Sequence, residues 1–299
     1  MKMDNINQQS LAPFRAGGFN NIAIIGTGLI GGSFSLCLKE RALVKHVIGV
    51  SRTQASANKT LELGIADEIL PLEEAVKKAD LIYVAIPVDT TVPVMLQVMD
   101  WVTDKQIVVD AGSTKHFLCS ALANHPMRSR FVATHPMWGT EYSGPEAAVK
   151  EAFTGRACVI CEKEKSDADA LKKIEQIYRD LGMHIVYMDA DSHDMHAAYV
   201  SHISHITSFA LANTVLEKEK EEDAIFELAG GGFESTVRLA KSNPAMWVPI
   251  FMQNKENILD VLNEHISQLR KFKASLEKEN ADYLLELIEN ANKIRRILK

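Results

Sequence analysis

The sequence predicts an α/β protein: an N-terminal doubly wound (Rossmann) dinucleotide-binding domain followed by an all-α C-terminal dimerisation domain. Three observations carry this. Gly26-Thr27-Gly28-Leu29-Ile30-Gly31 follows a short β-branched run and opens an amphipathic stretch, the strand–turn–helix setting that gives a G-x-G-x-x-G its meaning. Apolar runs then alternate with helix-period segments as far as Met188, the pattern of a mostly parallel sheet with helices on its faces. Beyond Met188 no short β-branched run recurs, and apolar positions step by three or four residues.

In chain order, residues 1–20 are polar, with Pro13 and Gly17-Gly18, and read as a poorly ordered leader. The first domain spans 21–188. Ile22–Ile25 is its first strand, and a helix runs from Leu29 to Leu43. Val47–Val50 is the next strand and Thr53–Leu63 the next helix. Leu81–Ile86 is a strand ending at Pro87, with a helix over Thr90–Trp101. Ile107–Val109, Phe131–Thr134, Cys158–Cys161 and Ile185–Val186 supply further strands, and a helix at Asp167–Leu181 precedes the last. The second domain, 189–299, is helical. Its stripe of Leu262, Ile266, Leu269, Phe272 and Leu276 serves either as internal core or as a subunit interface. A helical domain of about 110 residues has limited core of its own, so a homodimer is expected.

Composition excludes several classes. At roughly 150 residues per domain, 299 residues make about two domains. With 46% hydrophobic and 24% charged residues the chain is neither disordered nor fibrous. A net charge of −6, from 33 basic and 39 acidic residues, offers no basic field for nucleic acid. Four cysteines cannot staple so long a chain, so a reducing, cytoplasmic setting is expected. Ala16–Leu38 is uncharged and long enough for a membrane span. Six glycines and Asn20-Asn21 interrupt it, which excludes that role.

The fingerprint assigns cofactor contacts. Gly26 permits the tight turn, Gly28 lets the backbone approach a pyrophosphate, and Gly31 lets helix and strand pack closely. The pyrophosphate then meets the first amides of the helix, at Leu29 and Ile30, and the positive end of its dipole. About 20 residues on, an NAD site places an acid on the ribose. Here Gly49-Val50-Ser51-Arg52-Thr53 holds none. Ser51 and Arg52 suit a 2′-phosphate, so NADP is the expected cofactor, with NAD the alternative should Arg52 be merely solvated.

Ligands of doubly wound sheets bind beyond the carboxyl ends of the strands. Pro87, the stretch 110–115 (DAGSTK) and the stretch 135–141 (HPMWGTE) lie at such ends. An imidazole at His135 can take a hydroxyl proton while a hydride leaves the same carbon, and the Ser113 hydroxyl can orient either partner.

GTGLIGGS at 26–33, GSTK at 112–115 and HPMWGTEYSG at 135–144 together resemble the prephenate/arogenate dehydrogenases of tyrosine biosynthesis. SHISH at 201–205 and GGGFESTVRLAKSNPAMW at 230–247 extend the likeness into the helical half. The resemblance covers nearly the whole chain from Asn21 and implies a Rossmann domain joined to a helical dimerisation domain. It implies NAD(P)-dependent oxidative decarboxylation of prephenate or arogenate, with hydride transfer, loss of CO₂ and aromatisation of the ring. By the family's motifs His135 deprotonates the ring hydroxyl and Ser113 hydrogen-bonds beside it. Arg238 grips a substrate carboxylate, His205 and Trp247 line the pocket, and Glu141 borders it. Retention of His205 and Glu141 favours prephenate. The family commonly carries a small residue at the position of Trp138, and Arg/Lys-Asp where this chain has Glu234-Ser235. These departures predict a different pocket cover and different support for Arg238. The chain ends at Lys299 directly after the helical domain, so no appended regulatory or chorismate mutase domain is expected. Any tyrosine inhibition is then expected to be competition at the active site.

Other signals compete. His193, His196, His202 and His205 invite a metal, but on one helix at about 100° per residue they fall near 0°, 300°, 180° and 120°. Two opposing pairs cannot share a tetrahedral ion, so no metal is expected. Cys158 and Cys161 on one strand point to opposite faces, which excludes a dithiol pair. The run Glu217–Asp223 reads as a solvated helix end or loop. Two further classes remain: another Rossmann-plus-helical oxidoreductase, and a non-catalytic nicotinamide sensor. The first would not need GSTK, HPM and SHISH together; the second could dispense with Ser113 and His135.

Overall fold

The computed structural model describes residues 17–220 and 226–297. Residues 1–16 of the expected leader, and 221–223 of the acidic run, lie outside the described residues. Eight strands form one sheet: β1 (Phe19–Ile25), β2 (Val44–Val50), β3 (Glu68–Ile69), β4 (Leu81–Val84), β5 (Ile107–Asp110), β6 (Phe131–Pro136), β7 (Ala157–Cys161) and β8 (His184–Met188). Their order is β3-β2-β1-β4-β5-β6-β7-β8. All neighbours run parallel except β6 and β7. The chain therefore reverses its direction of winding between β1 and β4, and a crevice opens beyond their carboxyl ends.

Strand β1 begins at Phe19, inside the expected leader. The Asp80 carboxylate explains this, because it accepts from both Asn20 N (2.9 Å) and Asn21 N (3.0 Å) and so fixes two polar residues in extended form. The sheet is covered on both faces. Phe34 of the helix Leu29–Glu40 stacks on Tyr83 of β4 at 3.9 Å between centroids, and Phe153 and Tyr178 close the same cluster. Met95, Val98 and Met99 of the helix Val88–Trp101 fill the other side. Cys158 belongs to the first cluster and Cys161 to the second, as alternation along β7 requires.

From Ala190 onward the described residues are helical. Ala190–Ala197, a π-helical turn Ala198–His202 and Ile203–Glu219 form one continuous rod. Helices Gly231–Val237, Pro244–Gln253, Lys255–Glu277 and Ala281–Asn292 follow. The predicted stripe lies on Lys255–Glu277, where Leu269 and Leu276 are exposed while Ile258 and Val261 are buried. Leu285 and Ile288 of the following helix are exposed as well. No helix of the described residues is long and apolar enough to cross a membrane.

The two halves meet at the crevice. Trp247 packs with Val88, the residue after Pro87, and with Ile250. Gln253 accepts from the Thr114 hydroxyl (2.7 Å) and donates to Val88 O (2.9 Å), so one side chain ties the loops after β4 and β5 to the helical half.

Candidate active site

The glycine loop is shaped for a diphosphate. Gly26 has φ +93°, and a Cβ there would strike the Ala85 carbonyl of the loop after β4. A Cβ on Gly31 would strike Gly26 O and lie 2.9 Å from Ile24 Cγ2, so helix and strand can approach only with glycine. Gly28 faces open space instead, and no side chain caps the helix it begins. The amides of Leu29, Ile30 and Gly31 are thus first-turn donors aimed at an anion. These residues fit a dinucleotide. At the end of β2 the Ser51 hydroxyl pairs with Thr27 Oγ1 (3.1 Å), and Thr27 pairs with Thr60 (2.7 Å). Arg52 is exposed beside them.

Across the crevice, the stretch Gly112–Lys115 is pinned residue by residue. Asp110, at the end of β5, and Lys115 form a fully buried ion pair. The Asp110 carboxylate also accepts from Gly112 N (2.9 Å) and Thr134 N (3.1 Å), bracing this loop against β6. A Cβ on Gly112 would sit 2.9 Å from Asp110 Oδ2, so a side chain there would displace the carboxylate from its buried pair. Thr114 reaches Gln253. Ser113 lies half-buried between them.

His135 stands within β6 rather than in a loop after it, because β6 continues to Pro136 and pairs His135 with Val159 of β7. Its Nδ1 lies 2.8 Å from Nε2 of His193, and His193 Nδ1 lies 2.8 Å from Asp194 Oδ1. Asp194 also accepts from the amides of Lys115 (2.7 Å) and His116 (3.0 Å). An ionised carboxylate can only accept, so His193 carries its proton on Nδ1. Its Nε2 must then accept from His135 Nδ1–H, and the His135 lone pair is left on Nε2. The sequence marks His193 only as a possible metal ligand and Asp194 not at all. An adjacent His-Asp pair on a helix carries no signal for a contact made 58 residues away.

The remaining predicted residues form two pairs. Arg238 pairs with Glu141 at 2.9 Å, six residues beyond His135. The His205 ring stacks on Trp247 at 3.4 Å and 26°, and His202 meets Trp247 edge-on at 6.0 Å. Trp247 Nε1 is buried without a hydrogen-bond partner among the described residues, a donor that a bound acceptor would satisfy. Glu234 is exposed and Arg238 leans on Glu141 instead, so the turn before the arginine is not its support. Trp138 packs edge-to-face on Phe153 in the first core cluster, and so belongs to the domain core rather than to the pocket cover.

The π-helical turn changes the histidine geometry expected of a regular rod. His202 and His205 both meet Trp247, while His193 reaches His135. Even so, no group of three or more metal-ligating side chains occurs among the described residues.

Burial is the largest cause holding His135, His193, His202 and His205 below the ordinary imidazole value; His202 is pushed down to about 4. For His135 the charges of His193, Lys115 and His202 add to it. Burial alone would raise Asp194, but its bonds to His193 and the two amides outweigh this and hold it low. The sign for stability follows. The unfolded histidines bind protons below about pH 6.5 while the folded ones resist. Stability is therefore intact above that value and falls as pH drops towards the depressed folded values. Thermal unfolding scans from pH 7.5 to 4.5 are expected to show a Tm that declines steeply below about 6.5; a flat Tm across that range would contradict the buried neutral cluster.

A glycine-rich βα turn at a switch point, on the same sheet as a partly buried imidazole relay, defines a nicotinamide-dependent oxidoreductase with a helical second half. The comparisons place it more narrowly. Residues 34–187 match the family model for the nucleotide-binding domain of prephenate dehydrogenase, and 189–290 match the model for its dimerization domain. The chain belongs to the prephenate dehydrogenase family. It is 31% identical to prephenate dehydrogenase of Bacillus subtilis over 92% of this chain and 75% of the relative. It is 29% identical to cyclohexadienyl dehydrogenase of Zymomonas mobilis, over 94% and 97%. Prephenate dehydrogenase from Aquifex aeolicus, solved with hydroxyphenyl propionate and NAD+, superposes with a TM-score of 0.85 at 30% identity, covering 97% of this chain and all of that one.

Proposed function

We propose that this chain is a prephenate dehydrogenase that forms 4-hydroxyphenylpyruvate, with arogenate the alternative substrate. The carrying observation is the run His135–His193–Asp194, which leaves a lone pair on His135 Nε2 at the mouth of a dinucleotide crevice. Residues 21–188 hold the cofactor, and 189–299 carry the substrate wall and pair two copies through the exposed stripe. A cytoplasmic location fits four free cysteines.

A nicotinamide cofactor held at the glycine loop would supply the acceptor for the hydride on the ring carbon that bears the hydroxyl. His135 Nε2 takes the hydroxyl proton as that carbon–hydrogen bond breaks. The bond to the ring carboxylate then breaks and CO₂ leaves, its electron pair completing the aromatic ring. The proton returns from His135 to the same oxygen, so none is consumed overall. Ser113 orients that oxygen, and His205 and Trp247 wall the ring. Arg238 exchanges Glu141 for a substrate carboxylate, where its planar fork suits two oxygens.

The cofactor reading is NADP+, because the end of β2 presents Ser51 and Arg52 and no acid. Arg52→Asp is expected to lower kcat/KM with NADP+ at least about tenfold while leaving NAD+ turnover within about twofold. Equal losses with both cofactors would remove Arg52 from the ribose site. The function itself is tested by mixing purified protein with prephenate or arogenate and with NAD+ or NADP+, and following reduced-nicotinamide absorbance. Silence in all four mixtures would refute the reading.

A further inference from the structure

The long rod that carries three of the pocket histidines is broken by one π-helical turn, and a single side chain is bound across that break. In Ala198–His202 the Ile203 amide reaches back five residues, to Ala198 O. One residue more than a regular α-helix needs is thereby absorbed. On an uninterrupted helix His202 and His205 would stand about 180° and 120° from His193. Sliding the register back by one residue, about 100°, leaves them near 80° and 20°. That is the arrangement required for His193 to reach His135 while His205 lies on Trp247.

Asn254 sits on the far side of this turn. It is 3% exposed and lies at the break between the helix that carries Trp247 and the helix Lys255–Glu277. Its Nδ2 lies 2.6 Å from Asp194 O and 3.1 Å from His202 Nδ1. A carbonyl only accepts, so that atom is the amide nitrogen, and its two hydrogens serve the two acceptors. Asn257 Nδ2 donates to Asn254 Oδ1 at 2.8 Å, which fixes the same orientation. The two acceptors bracket the π turn: Asp194 precedes it and His202 ends it.

From this geometry we infer that Asn254 is a positioning residue that clamps the π turn, so that His193, His202 and His205 all face the reaction crevice. Asp194 offers its side chain to the His135 relay and its main chain to the clamp, so relay and pocket wall share one anchor. A second consequence concerns His202. Because its Nδ1 accepts from Asn254, its proton is on Nε2, and burial keeps the ring neutral.

The test begins with the intact protein. Long-range ¹H–¹⁵N correlation spectra, with His202 assigned through His202→Asn, are expected to show the Nε2–H tautomer of a neutral ring at pH 6. An Nδ1–H tautomer would overturn the clamp without any variant needing to fold. Asn254→Ala is expected to raise KM for prephenate at least tenfold while the cofactor Kd stays within twofold. Loss confined to kcat, in proportion to the folded fraction, would reduce Asn254 to a structural residue. Deleting Val200, which is 66% exposed in the turn, should regularise the helix and swing His205 off Trp247. A folded deletion variant with unchanged KM would overturn the register argument. The kinetic arms rest on the proposed substrate. Wild-type protein that turns over neither prephenate nor arogenate would refute that reading and leave the tautomer to decide this one.

Discussion

His135→Asn is expected to lower kcat by about 10²–10⁴, the range set by removing a positioned general base, with cofactor Kd within about twofold. Asparagine preserves much of the volume and, through its amide, a donor to His193 Nε2. It has no atom that can take a proton. The loss therefore falls on the chemical step, while the glycine loop, in another part of the crevice, is untouched. The pH profile supplies a second readout. The wild-type base is active when neutral, and burial, with repulsion from the His193, Lys115 and His202 side chains, holds it well below the usual histidine value. The acid limb of kcat/KM is thus expected well below the ordinary imidazole range, and it should vanish from the residual activity of the variant. An acid limb unchanged in His135→Asn would assign the base elsewhere. A nicotinamide sensor would behave differently: it would bind cofactor in both forms and turn over substrate in neither.

The parts of this protein that were legible in its sequence are those whose meaning is local. The glycine loop announces itself because three backbone constraints fall within six residues, and a Cβ at Gly26 or Gly31 collides with its neighbours. Strands β4 and β5 are read from short apolar runs buried on both faces. What escaped was set by distant partners. Asn20 and Asn21 look like loop residues until Asp80, about 60 positions on, accepts both amides. β3 has two residues and owes its pairing to β2, not to any run of its own. The antiparallel β7 resembles its parallel neighbours, since a strand buried on both faces carries no mark of direction. His135 stands out by its motif, whereas its partner His193 suggests only a metal ligand. The four histidines oppose one another only on a regular helix, and the π turn makes this helix irregular. Periodicity predicts a helix and is silent on a one-residue slip within it.

Asp194→Asn is expected to cost almost as much as loss of the base itself, about 10²–10⁴ in kcat, although Asp194 lies two side chains from Nε2 of His135. Both oxygens of this carboxylate are in use. Oδ1 receives His193 Nδ1–H and the Lys115 amide, and Oδ2 receives the His116 amide. Asparagine can replace only one oxygen. If its carbonyl takes the Oδ1 position, its NH₂ opposes the His116 amide, donor against donor, and the loop that follows Ser113 is displaced. If the side chain flips, its NH₂ faces His193 Nδ1 and forces that ring into the Nε2–H tautomer. His193 Nε2–H then donates to His135 Nδ1, and the His135 proton moves to Nε2, where the lone pair had been. The first arrangement shifts the loop that carries Ser113, and the second removes the lone pair from the hydroxyl it serves. The flipped arrangement is visible directly, since both rings change tautomer together in side-chain ¹⁵N spectra. Asn254 remains bonded to the main-chain carbonyl of residue 194, so the π turn and the stack of His205 on Trp247 should persist. KM for prephenate is accordingly expected to change by less than about threefold. A variant that kept wild-type kcat would show that His135 does not depend on His193 and Asp194 for its tautomer.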